Sequence, residues 1–549
     1  MTSKNTAMKL PGDYTTNNLI VMVSIFLMIF ANQAFFTNVM ATYPLDFANA
    51  VFVVSLFVFF VCANIVVFSL ICFRFTIKPV LISLLLVSSM AACFMDSYNI
   101  VISEEMINNL MSTDRREFFD LLNPWQCVYL GLLGILPSIF VYRTRLVFPP
   151  LHRALISRLT LIGGSLLIMT IIVLSMGNQY ASFIREHKSL RFYANPTYYI
   201  YSANKYAKSL LNHDSQQELK QIGLDARIPE DDKHRELVVM VVGETVRADH
   251  MSLNGYERTT NPELQKEAVF SFTNFWSCGT STAESVPCLF SVLIQDSFDR
   301  QSAAATENVL DILNRSEVNV IWLDNNSDSK GVATRIPYLD YRDATMNPVC
   351  DIECRDEGML HNLQEYIDDH PVGDIFIVLH QMGNHGPAYY KRYPDEFETY
   401  KPVCQTNQLE NCTDDEIINA YDNAVLYTDH FLSQTINLLK KNDAYFETAM
   451  LYVSDHGESL GENGVYLHGL PNIMAPDSQK HVPVIMWFGQ GFDPGELDLP
   501  ALASSVHKQY SHDNIFHTIL GLLEIETEVY DPALDLISHN PLAVALEND

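Results

Sequence analysis

Side chains that commonly bind metals follow several short β-type runs in the second half of this 549-residue sequence. Glu244 comes just after LVVMVV, His380 and His385 come after IFIVL, and Asp455 and His456 come after MLYV. Because the carboxyl ends of parallel strands meet at one edge of a sheet, these side chains are expected to converge. Carboxylates and imidazoles suit zinc. The pattern therefore predicts a zinc site that includes Glu244, Asp455 and His456, although each of them singly could be an ordinary cap, surface or core residue.

A hydroxyl-rich loop between two cysteines, WSCGTSTAESVPC, predicts a nucleophile. Thr280 directly follows Gly279, and Cys278 and Cys288 lie ten positions apart on either side. A threonine hydroxyl needs a base or a metal to lower its pKa before it can attack. We therefore expect Thr280 to be both a zinc ligand and the nucleophile of a phosphoryl or sulfuryl transfer. An ordinary Ser/Thr-rich loop is the alternative for this stretch taken alone.

Three further side chains are candidates for handling a phosphate group. His385 and His468 could bind a second zinc or the substrate phosphate, or could move a proton in the second half-reaction. Lys330 follows the loop DNNSDS and could neutralise phosphate charge. A solvated lysine is at least as good an interpretation of Lys330 from the sequence alone.

Five apolar runs in the first third of the chain predict five transmembrane helices, since about 20 such residues span a bilayer. The runs cover residues 19–40, 47–73, 79–95, 124–142 and 156–176. Basic residues precede the first run and follow the second and fourth, so those segments are expected to be cytoplasmic. An odd number of spans then places the rest of the chain outside. The first run lacks a cleavage site and is expected to be an anchor.

These patterns divide the chain into a transmembrane domain over 1–177, an interfacial connector over 178–235 and a soluble domain over 236–549. The soluble domain alternates strand-like runs with helical patterns, which predicts an α/β domain with a mostly parallel sheet. Residues 99–123 are predicted to face outside. There, Asn109, Thr113 and Glu117 are four positions apart and share one helix face. That face is either solvated or binds lipid headgroups.

Charge and cysteine spacing limit the partners and the compartment. The net charge of −30 argues against nucleic acid, because binding a phosphate backbone needs a basic surface. Six cysteines of the polar part form close pairs, none of them a CxxC, which favours disulfides in an oxidising compartment such as the bacterial periplasm. The pairs are Cys278 with Cys288, Cys350 with Cys354, and Cys404 with Cys412.

Five longer segments are specific enough to carry a family resemblance. They are VVGETVRADHMSLNGY, SCGTSTAESVPC, DNNSDSKG, LHQMGNHGPAYYKRYP and SDHGESLGENGVYLHG. They closely resemble the lipid A phosphoethanolamine transferases, which include the mobile colistin-resistance enzymes, and the resemblance covers essentially the whole chain. It implies a five-helix membrane domain in the bacterial inner membrane and a periplasmic catalytic domain of alkaline phosphatase-like, or sulfatase-like, α/β fold.

The resemblance also implies a reaction and roles for individual residues. Phosphoethanolamine would pass from phosphatidylethanolamine to a lipid A phosphate through an intermediate on Thr280, and we expect polymyxin resistance as a result. Glu244, Thr280, Asp455 and His456 match the family's main zinc site. His385 and His468 match positions for further zinc or substrate phosphate, and His380, nearby, is expected to contact the substrate. The positions linked to phosphoethanolamine binding are matched by Asn109, Thr113, Glu117, Ser327 and Lys330.

Several other functions remain as alternatives. A sulfatase is disfavoured because the nucleophile loop lacks a C/S-x-P-x-R run. A membrane-anchored phosphodiesterase with water as acceptor is harder to exclude. Transfer to lipopolysaccharide core sugars instead of lipid A is a further possibility, and a lipoteichoic-acid-type synthase is disfavoured by the cysteine pairs. A sensor or binding protein would hold its metal in a closed, structural site.

Overall fold

The computed structural model describes residues 14–44, 46–112, 124–185, 187–213, 219–229, 232, 234–492 and 497–537. The chain separates into two compact units, one made of residues 1–107 and 122–206 and the other of residues 108–121 and 207–549. The interval expected to be a connector, 178–235, is thus divided between the two units at residue 206. We call the first the membrane unit and the second the soluble unit.

The membrane unit is helical. In chain order its helices are α1 (Thr16–Phe30), α2 (Gln33–Thr42), α3 (Phe47–Ile71), α4 (Ile77–Tyr98), α5 (Glu104–Ser112, whose last residues belong to the soluble unit), α6 (Pro124–Arg143, with a π-helical turn at Leu130–Ile135), α7 (Leu151–Ser175), α8 (Gly177–Arg185) and α9 (Thr197–His213, which continues into the soluble unit). A short pair of parallel strands, Tyr14–Thr15 and Leu146–Val147, joins the start of α1 to the α6–α7 connection.

Four helices among the described residues, α3, α4, α6 and α7, are long and apolar enough to cross a membrane. The first predicted span is instead a pair of helices, α1 and α2, that is bent by 57° and makes a fifth span if counted as one. Asn32 lies at the bend and is buried. Its side-chain amide donates to Leu27 O at 2.9 Å and to Asn195 O at 2.7 Å. A buried polar group needs such partners. The break between α1 and α2 lets the Asn32 side chain reach both of them.

The soluble unit is built on an eight-stranded, mostly parallel sheet. Its strands are β1 (Glu236–Gly243), β2 (Phe270–Trp276), β3 (Asn319–Asp324), β4 (Tyr338–Asp340), β5 (Ile375–His380), β6 (Glu447–Ser454), β7 (His481–Phe488) and β8 (Tyr510–Ser511). Their spatial order is β8-β2-β7-β6-β1-β5-β3-β4, and only β7 runs antiparallel to its neighbours. A small hairpin pairs Ser459–Leu460 with Tyr466–Leu467.

The central strands β1, β5 and β6 are buried along their whole length, which explains their continuous apolar sequences. The helices of this unit are α10 (Thr282–Leu289), α11 (Arg300–Ala304), α12 (Val309–Arg315), α13 (Leu363–Asp369), α14 (Asp414–Lys440), α15 (Leu499–Ser505) and α16 (Ile515–Leu522). The longest, α14, begins with a capping box in which Thr413 and Glu416 bond each other's backbone N–H groups, a strong helix start signal. This sheet-and-helix arrangement is the α/β fold that the sequence predicts.

Candidate active site

Two neighbouring strands bring a pair of carboxylates together. Glu244 directly follows β1 and Asp455 directly follows β6, and these strands pair in parallel with Gly243 opposite Ser454. The backbone N–H of Asp455 also donates to Gly243 O at 2.9 Å. His456 adds an imidazole at the same point, and ligand atoms of Glu244, Asp455 and His456 all lie within 4.8 Å of one another. The structure thus assembles the three non-hydroxyl zinc ligands predicted from the sequence.

Each carboxylate of this cluster keeps one oxygen without a hydrogen-bond partner among the described residues. Glu244 Oε2 accepts bonds from Thr282 and Asn326 while Oε1 accepts none. Asp455 Oδ1 accepts from two backbone N–H groups while Oδ2 accepts none. Both residues are fully buried. A buried anionic oxygen is costly unless it is paired or coordinates a metal, so these two atoms fit a cation.

His456 is oriented to act as a ligand. Its Nδ1 lies 2.9 Å from Gly457 O, an arrangement that requires Nδ1 to carry the proton and leaves Nε2 as the lone-pair nitrogen. Nε2 is 3.4 Å from Glu244 Oε1 and 3.3 Å from Asp455 Oδ2. Burial lowers the pKa of His456 to about 4, so the ring is neutral. Burial raises the pKa of Glu244 to about 8, as expected for a carboxylate pair that needs a positive partner.

The hydroxyl at this cluster belongs to Thr282 and not to Thr280, which corrects the placement expected from the sequence. Thr282 Oγ1 donates to Glu244 Oε2 at 3.0 Å and lies 3.3 Å from His456 Nε2. Thr280 Oγ1 instead donates to Leu470 O at 2.7 Å, and its carbonyl accepts from the Gly469 N–H at 2.7 Å. Thr280 therefore hydrogen-bonds to the segment around Leu470, whereas the Thr282 hydroxyl contacts the Glu244 carboxylate and the His456 imidazole.

The start of α10 explains why Thr282, and not Thr280, contacts the cluster. Ser281 is the N-cap and Thr282 is the first residue of the helix, so the chain turns between Thr280 and Thr282 and sends their side chains to different partners. Residues 281–284 read S-x-x-E, a helix-start pattern, and this signal in the sequence would have placed the turn correctly. Near the first turn of a helix, unpaired N–H groups and the dipole favour negative charge.

A second group lies beside the first. Ligand atoms of Glu244, His385 and His468 are also within 4.8 Å of one another, and the His456 and His468 rings have centroids 4.3 Å apart. His468 Nδ1 is 3.3 Å from both carboxylate oxygens of Glu458, which orients its Nε2 away from that carboxylate. Burial lowers the pKa of His468 to about 4. Both histidines can therefore bind a second metal or a phosphate.

Lys330 and Ser327 form a polar chain that leads to Glu244. Lys330 Nζ donates to Ser327 Oγ at 2.7 Å, and Ser327 Oγ donates to Asn326 Oδ1 at 2.9 Å. The amide of Asn326 then donates to Glu244 Oε2 at 2.8 Å and to Gln381 O at 2.7 Å. Asn326 was not singled out from the sequence. Its signal is its position two residues beyond the end of β3, at the same sheet edge as Glu244.

His380 supports the cluster from within the protein. Its ring is fully buried, and Nδ1 lies 3.0 Å from Asp324 Oδ2. Burial opposes a charge here, but the carboxylate of Asp324 raises the pKa of His380 overall. The ring lies beside the cluster, and the substrate contact expected of His380 stays a prediction.

The remaining predicted residues divide between described and undescribed segments. Asn109 lies on α5, whereas Thr113 and Glu117 lie outside the described residues. The three predicted disulfides are present: Cys278–Cys288, Cys350–Cys354 and Cys404–Cys412. The Cys278–Cys288 disulfide encloses the loop and helix start that carry Thr280 and Thr282.

Three residues of the site are not predicted from the sequence. They are Thr282, Asn326 and Glu458, and Glu458 orients His468.

Comparison with known families assigns both halves of the chain. Residues 60–211 match the family model for "Phosphoethanolamine transferase EptA/EptB", and residues 236–525 match the family model for "Sulfatase". The sequence is 43% identical to phosphatidylethanolamine transferase Mcr-2 of Escherichia coli over 93% of this chain and 96% of that protein. It is 37% identical to phosphoethanolamine transferase EptA of Escherichia coli strain K12 over 94% of this chain and 96% of that protein.

Solved structures agree with this assignment. The full-length lipooligosaccharide phosphoethanolamine transferase A (EptA) of Neisseria meningitidis superposes with a TM-score of 0.92 at 33% identity, covering 96% of this chain and 99% of that one. The soluble domain of the same protein superposes with a TM-score of 0.57 at 39% identity, covering 59% of this chain and 98% of the domain. With its helical membrane unit and its sulfatase-like α/β unit, this chain belongs to the phosphoethanolamine transferase family.

Proposed function

We propose that this enzyme transfers phosphoethanolamine from phosphatidylethanolamine to a phosphate of lipid A, with Thr282 as the nucleophile. The observation that carries the proposal is the 3.0 Å hydrogen bond from Thr282 Oγ1 to Glu244 Oε2 beside the His456 ring. Among Thr280, Ser281 and Thr282, only Thr282 has a side chain bonded to the cluster in the described structure. The named relatives, which are phosphoethanolamine or phosphatidylethanolamine transferases, support the transferred group and the donor.

In the first half-reaction, Thr282 Oγ1 attacks the phosphorus of the donor and the bond from phosphorus to the glycerol oxygen breaks. Diacylglycerol leaves with a proton, and phosphoethanolamine remains on Thr282 as a phosphodiester. Glu244 Oε2 already accepts the hydrogen bond of the Thr282 hydroxyl, so the proton of the nucleophile leaves along this bond. The N-terminal turn of α10 favours the negative charge that develops on the threonine oxygen.

In the second half-reaction, an oxygen of the acceptor phosphate attacks the same phosphorus, the bond from phosphorus to Thr282 Oγ1 breaks, and Thr282 regains its proton. His385, His468 and Lys330 would hold the phosphate groups, the first two as neutral hydrogen-bonding rings and the third as a cation. A zinc ion held by Glu244, Asp455 and His456 would polarise the phosphoryl oxygens and lower the pKa of the Thr282 hydroxyl.

The proposal includes a location and a physiological effect. The apolar helices and the positive-inside pattern support a location of the soluble unit on the outer side of the bacterial inner membrane, in the periplasm. The three disulfides fit that oxidising compartment. Because phosphoethanolamine adds a positive charge to lipid A, the outer membrane would bind cationic peptides less strongly, and cells that express the enzyme would become resistant to polymyxins.

Mass spectrometry of lipid A from a Gram-negative host tests the proposal. The host expresses the unchanged chain, Thr282→Ala or, as the matched control two residues away, Thr280→Ala. We expect a phosphoethanolamine increment with the unchanged chain and with Thr280→Ala, and none with Thr282→Ala. An increment that survives Thr282→Ala would remove Thr282 from the mechanism. An increment found only on core sugars, or none with any folded chain, would reject lipid A as the acceptor.

A further inference from the structure

The membrane unit contains a cavity of about 500 Å³ whose lining combines charge, aromatic rings and a buried hydroxyl. Glu104, Arg191 and Lys205 supply the charges, and Phe192 and Tyr198 supply rings whose centroids are 4.7 Å apart. These residues come from α5, from the 3-10 turn Lys188–Tyr193 and from α9. None of them belongs to the candidate active site, which lies entirely in the soluble unit.

Hydrogen bonds fix the position of this cavity along the membrane helices. Tyr193, at the end of the 3-10 turn, donates through Oη to Asn99 O at 2.7 Å, which is the residue after α4 ends. Asn195 and Tyr199, at the start of α9, both bond to Ser88 of α4. Ser88 lies ten residues before the end of α4, or about 15 Å along its axis. The segment that carries the cavity therefore runs beside the second half of α4. Arg191 and Phe192 adjoin Tyr193, whose contact with Asn99 lies at the end of this membrane-spanning helix, where lipid headgroups are found.

The charges of the cavity favour an anion. Lys205 Nζ and Glu104 Oε2 form an ion pair at 2.5 Å, so the carboxylate offsets one of the two cations. Arg191 adds a further positive charge, and its guanidinium lies 5.4 Å from the centre of the Phe192 ring. The lining thus has a net charge of +1, which one phosphodiester group neutralises. Arginine is especially suited to phosphate because its planar group donates two parallel hydrogen bonds.

Ser202 provides an independent indication of a ligand. It lines the cavity, it is fully buried, and its Oγ has no hydrogen-bond partner among the described residues. A buried hydroxyl without a partner is costly, and a phosphate oxygen in the cavity would accept its hydrogen bond. Tyr198, Ser202 and Lys205 are spaced i, i+4 and i+7 on α9, so one helix face presents the ring, the hydroxyl and the ammonium group together.

We propose that this cavity binds the phosphodiester headgroup of a membrane phospholipid, with Arg191, Lys205 and Ser202 holding the phosphate. The aromatic rings of Phe192 and Tyr198 would contact the glycerol and upper acyl region, as rings do at the membrane–water interface. Binding at this site goes beyond the proposed transfer and does not require it, since no residue of the cavity belongs to the catalytic cluster.

Native mass spectrometry of the full-length protein in detergent tests the proposal. The chain carries Thr282→Ala, so that a failure of the transfer chemistry cannot affect the result. We expect the cavity to bind phosphatidylethanolamine and phosphatidylglycerol equally well, because both contain the phosphodiester, and not to bind diacylglycerol. Phosphatidylethanolamine bound at the donor site of the soluble unit would be retained by the double variant Arg191→Gln, Lys205→Gln, whereas lipid bound in the cavity would be lost. Equal binding of diacylglycerol would identify an acyl-chain groove and overturn the proposal. If glycerophosphoethanolamine displaces the lipid at equal concentration, the cavity binds a soluble ligand, and the proposal is overturned as well.

Three variants and a matched control assign the site to its residues. Arg191→Gln and Lys205→Gln are each expected to weaken lipid binding roughly tenfold. Lys208→Gln, which removes an exposed charge from the same helix, should leave it unchanged. Glu104→Gln removes the competing carboxylate and should strengthen binding, a direction that misfolding cannot imitate. Unchanged binding in the double variant Arg191→Gln, Lys205→Gln would overturn the proposal.

Discussion

Thr282 Oγ1 lies 3.0 Å from Glu244 Oε2, although the two residues are 38 positions apart in the chain. The other carboxylate oxygen of Glu244 has no hydrogen-bond partner among the described residues and faces His456 Nε2 at 3.4 Å. One oxygen of this buried carboxylate therefore accepts the hydrogen bond of the hydroxyl, and the other is available to a cation.

Asn326→Ala should weaken metal binding, because the Asn326 amide holds Glu244 Oε2 and leaves Oε1 available. Partners of this kind typically contribute 10- to 100-fold to metal affinity, and we expect a loss of roughly that size. Zinc titration with a competing chelator measures it on the purified chain. The control is Asn411→Ala, an exposed asparagine of the soluble unit. Equal zinc affinity in the two variants would show that Asn326 does not position the ligand.

Glu458→Ala should slow the transfer, because Glu458 is the carboxylate that orients His468 through Nδ1. The expected loss in kcat/KM is roughly 10- to 100-fold, and Glu458→Gln should recover part of it because the amide oxygen can still accept the Nδ1–H bond. The assay follows a fluorescent phosphatidylethanolamine analogue. Glu257→Ala, an exposed glutamate, controls for loss of surface charge. If Glu458→Gln is as inactive as Glu458→Ala, the loss of activity does not come from losing the hydrogen bond to His468.

His430 should make the stability of the soluble unit depend on pH. Its Nδ1 lies 3.0 Å from Glu263 and its Nε2 lies 3.0 Å from Glu357. The bond to Glu357, together with that to Glu263, raises the pKa of His430 to about 9. A pKa raised by folding means that the protonated form stabilises the native state. This stabilisation is complete below the ordinary histidine pKa of about 6.5 and is lost as the pH rises through 9.

The change is measured by urea unfolding of the unchanged chain and of His430→Gln at pH 6 and pH 9.5. Because His430 is only partly buried, we expect the free energy of unfolding to fall by roughly 1 to 2 kcal/mol more in the unchanged chain than in the variant. His361→Gln replaces an exposed histidine of the same unit and should behave like the unchanged chain. Parallel pH profiles for the unchanged chain and His430→Gln would contradict the prediction.

Removing the Cys278–Cys288 disulfide should destabilise the segment that carries Thr282. The double variant Cys278→Ser, Cys288→Ser opens a loop of ten residues, for which the loss of unfolding free energy is about 2 to 3 kcal/mol. Differential scanning calorimetry under non-reducing conditions measures the effect. Cys127→Ser replaces an exposed cysteine that forms no disulfide and serves as the control. Equal midpoints for the double variant and the control would show that the disulfide does not stabilise this segment.

Much of the site could be predicted from the sequence because it depends on where strands end. Glu244, Asp455 and His456 follow runs whose continuous apolar character marks central parallel strands, and such strands end at one edge. The choice among the hydroxyls of Thr280, Ser281 and Thr282 depends instead on where a helix begins. A shift of two residues in the start of this helix would bring a different side chain to the Glu244 carboxylate. The S-x-x-E pattern marks the helix start, whereas Gly279 alone does not.

The supporting residues were harder to predict because they act through side-chain contacts between distant segments. Asn326 and Glu458 gain their roles from the partners they contact, Glu244 and His468. The position of Asn326 just after β3 places it at the same sheet edge as Glu244, but its residue type does not indicate the hydrogen bond between them. The break in the first membrane span has a similar origin. Asn32 lies in an apolar run that reads as continuous, and its effect depends on Asn195, which is 163 positions away.

If Thr282 is the nucleophile, phosphoethanolamine must become attached to this residue of the protein itself. The purified full-length chain is incubated with phosphatidylethanolamine without acceptor, quenched in acid and digested, and fragment ions locate the modification within the peptide that contains Thr280, Ser281 and Thr282. The account predicts phosphoethanolamine on Thr282, present in Thr280→Ala and absent in Thr282→Ala. Modification of Thr280 or Ser281 in the unchanged chain would contradict it.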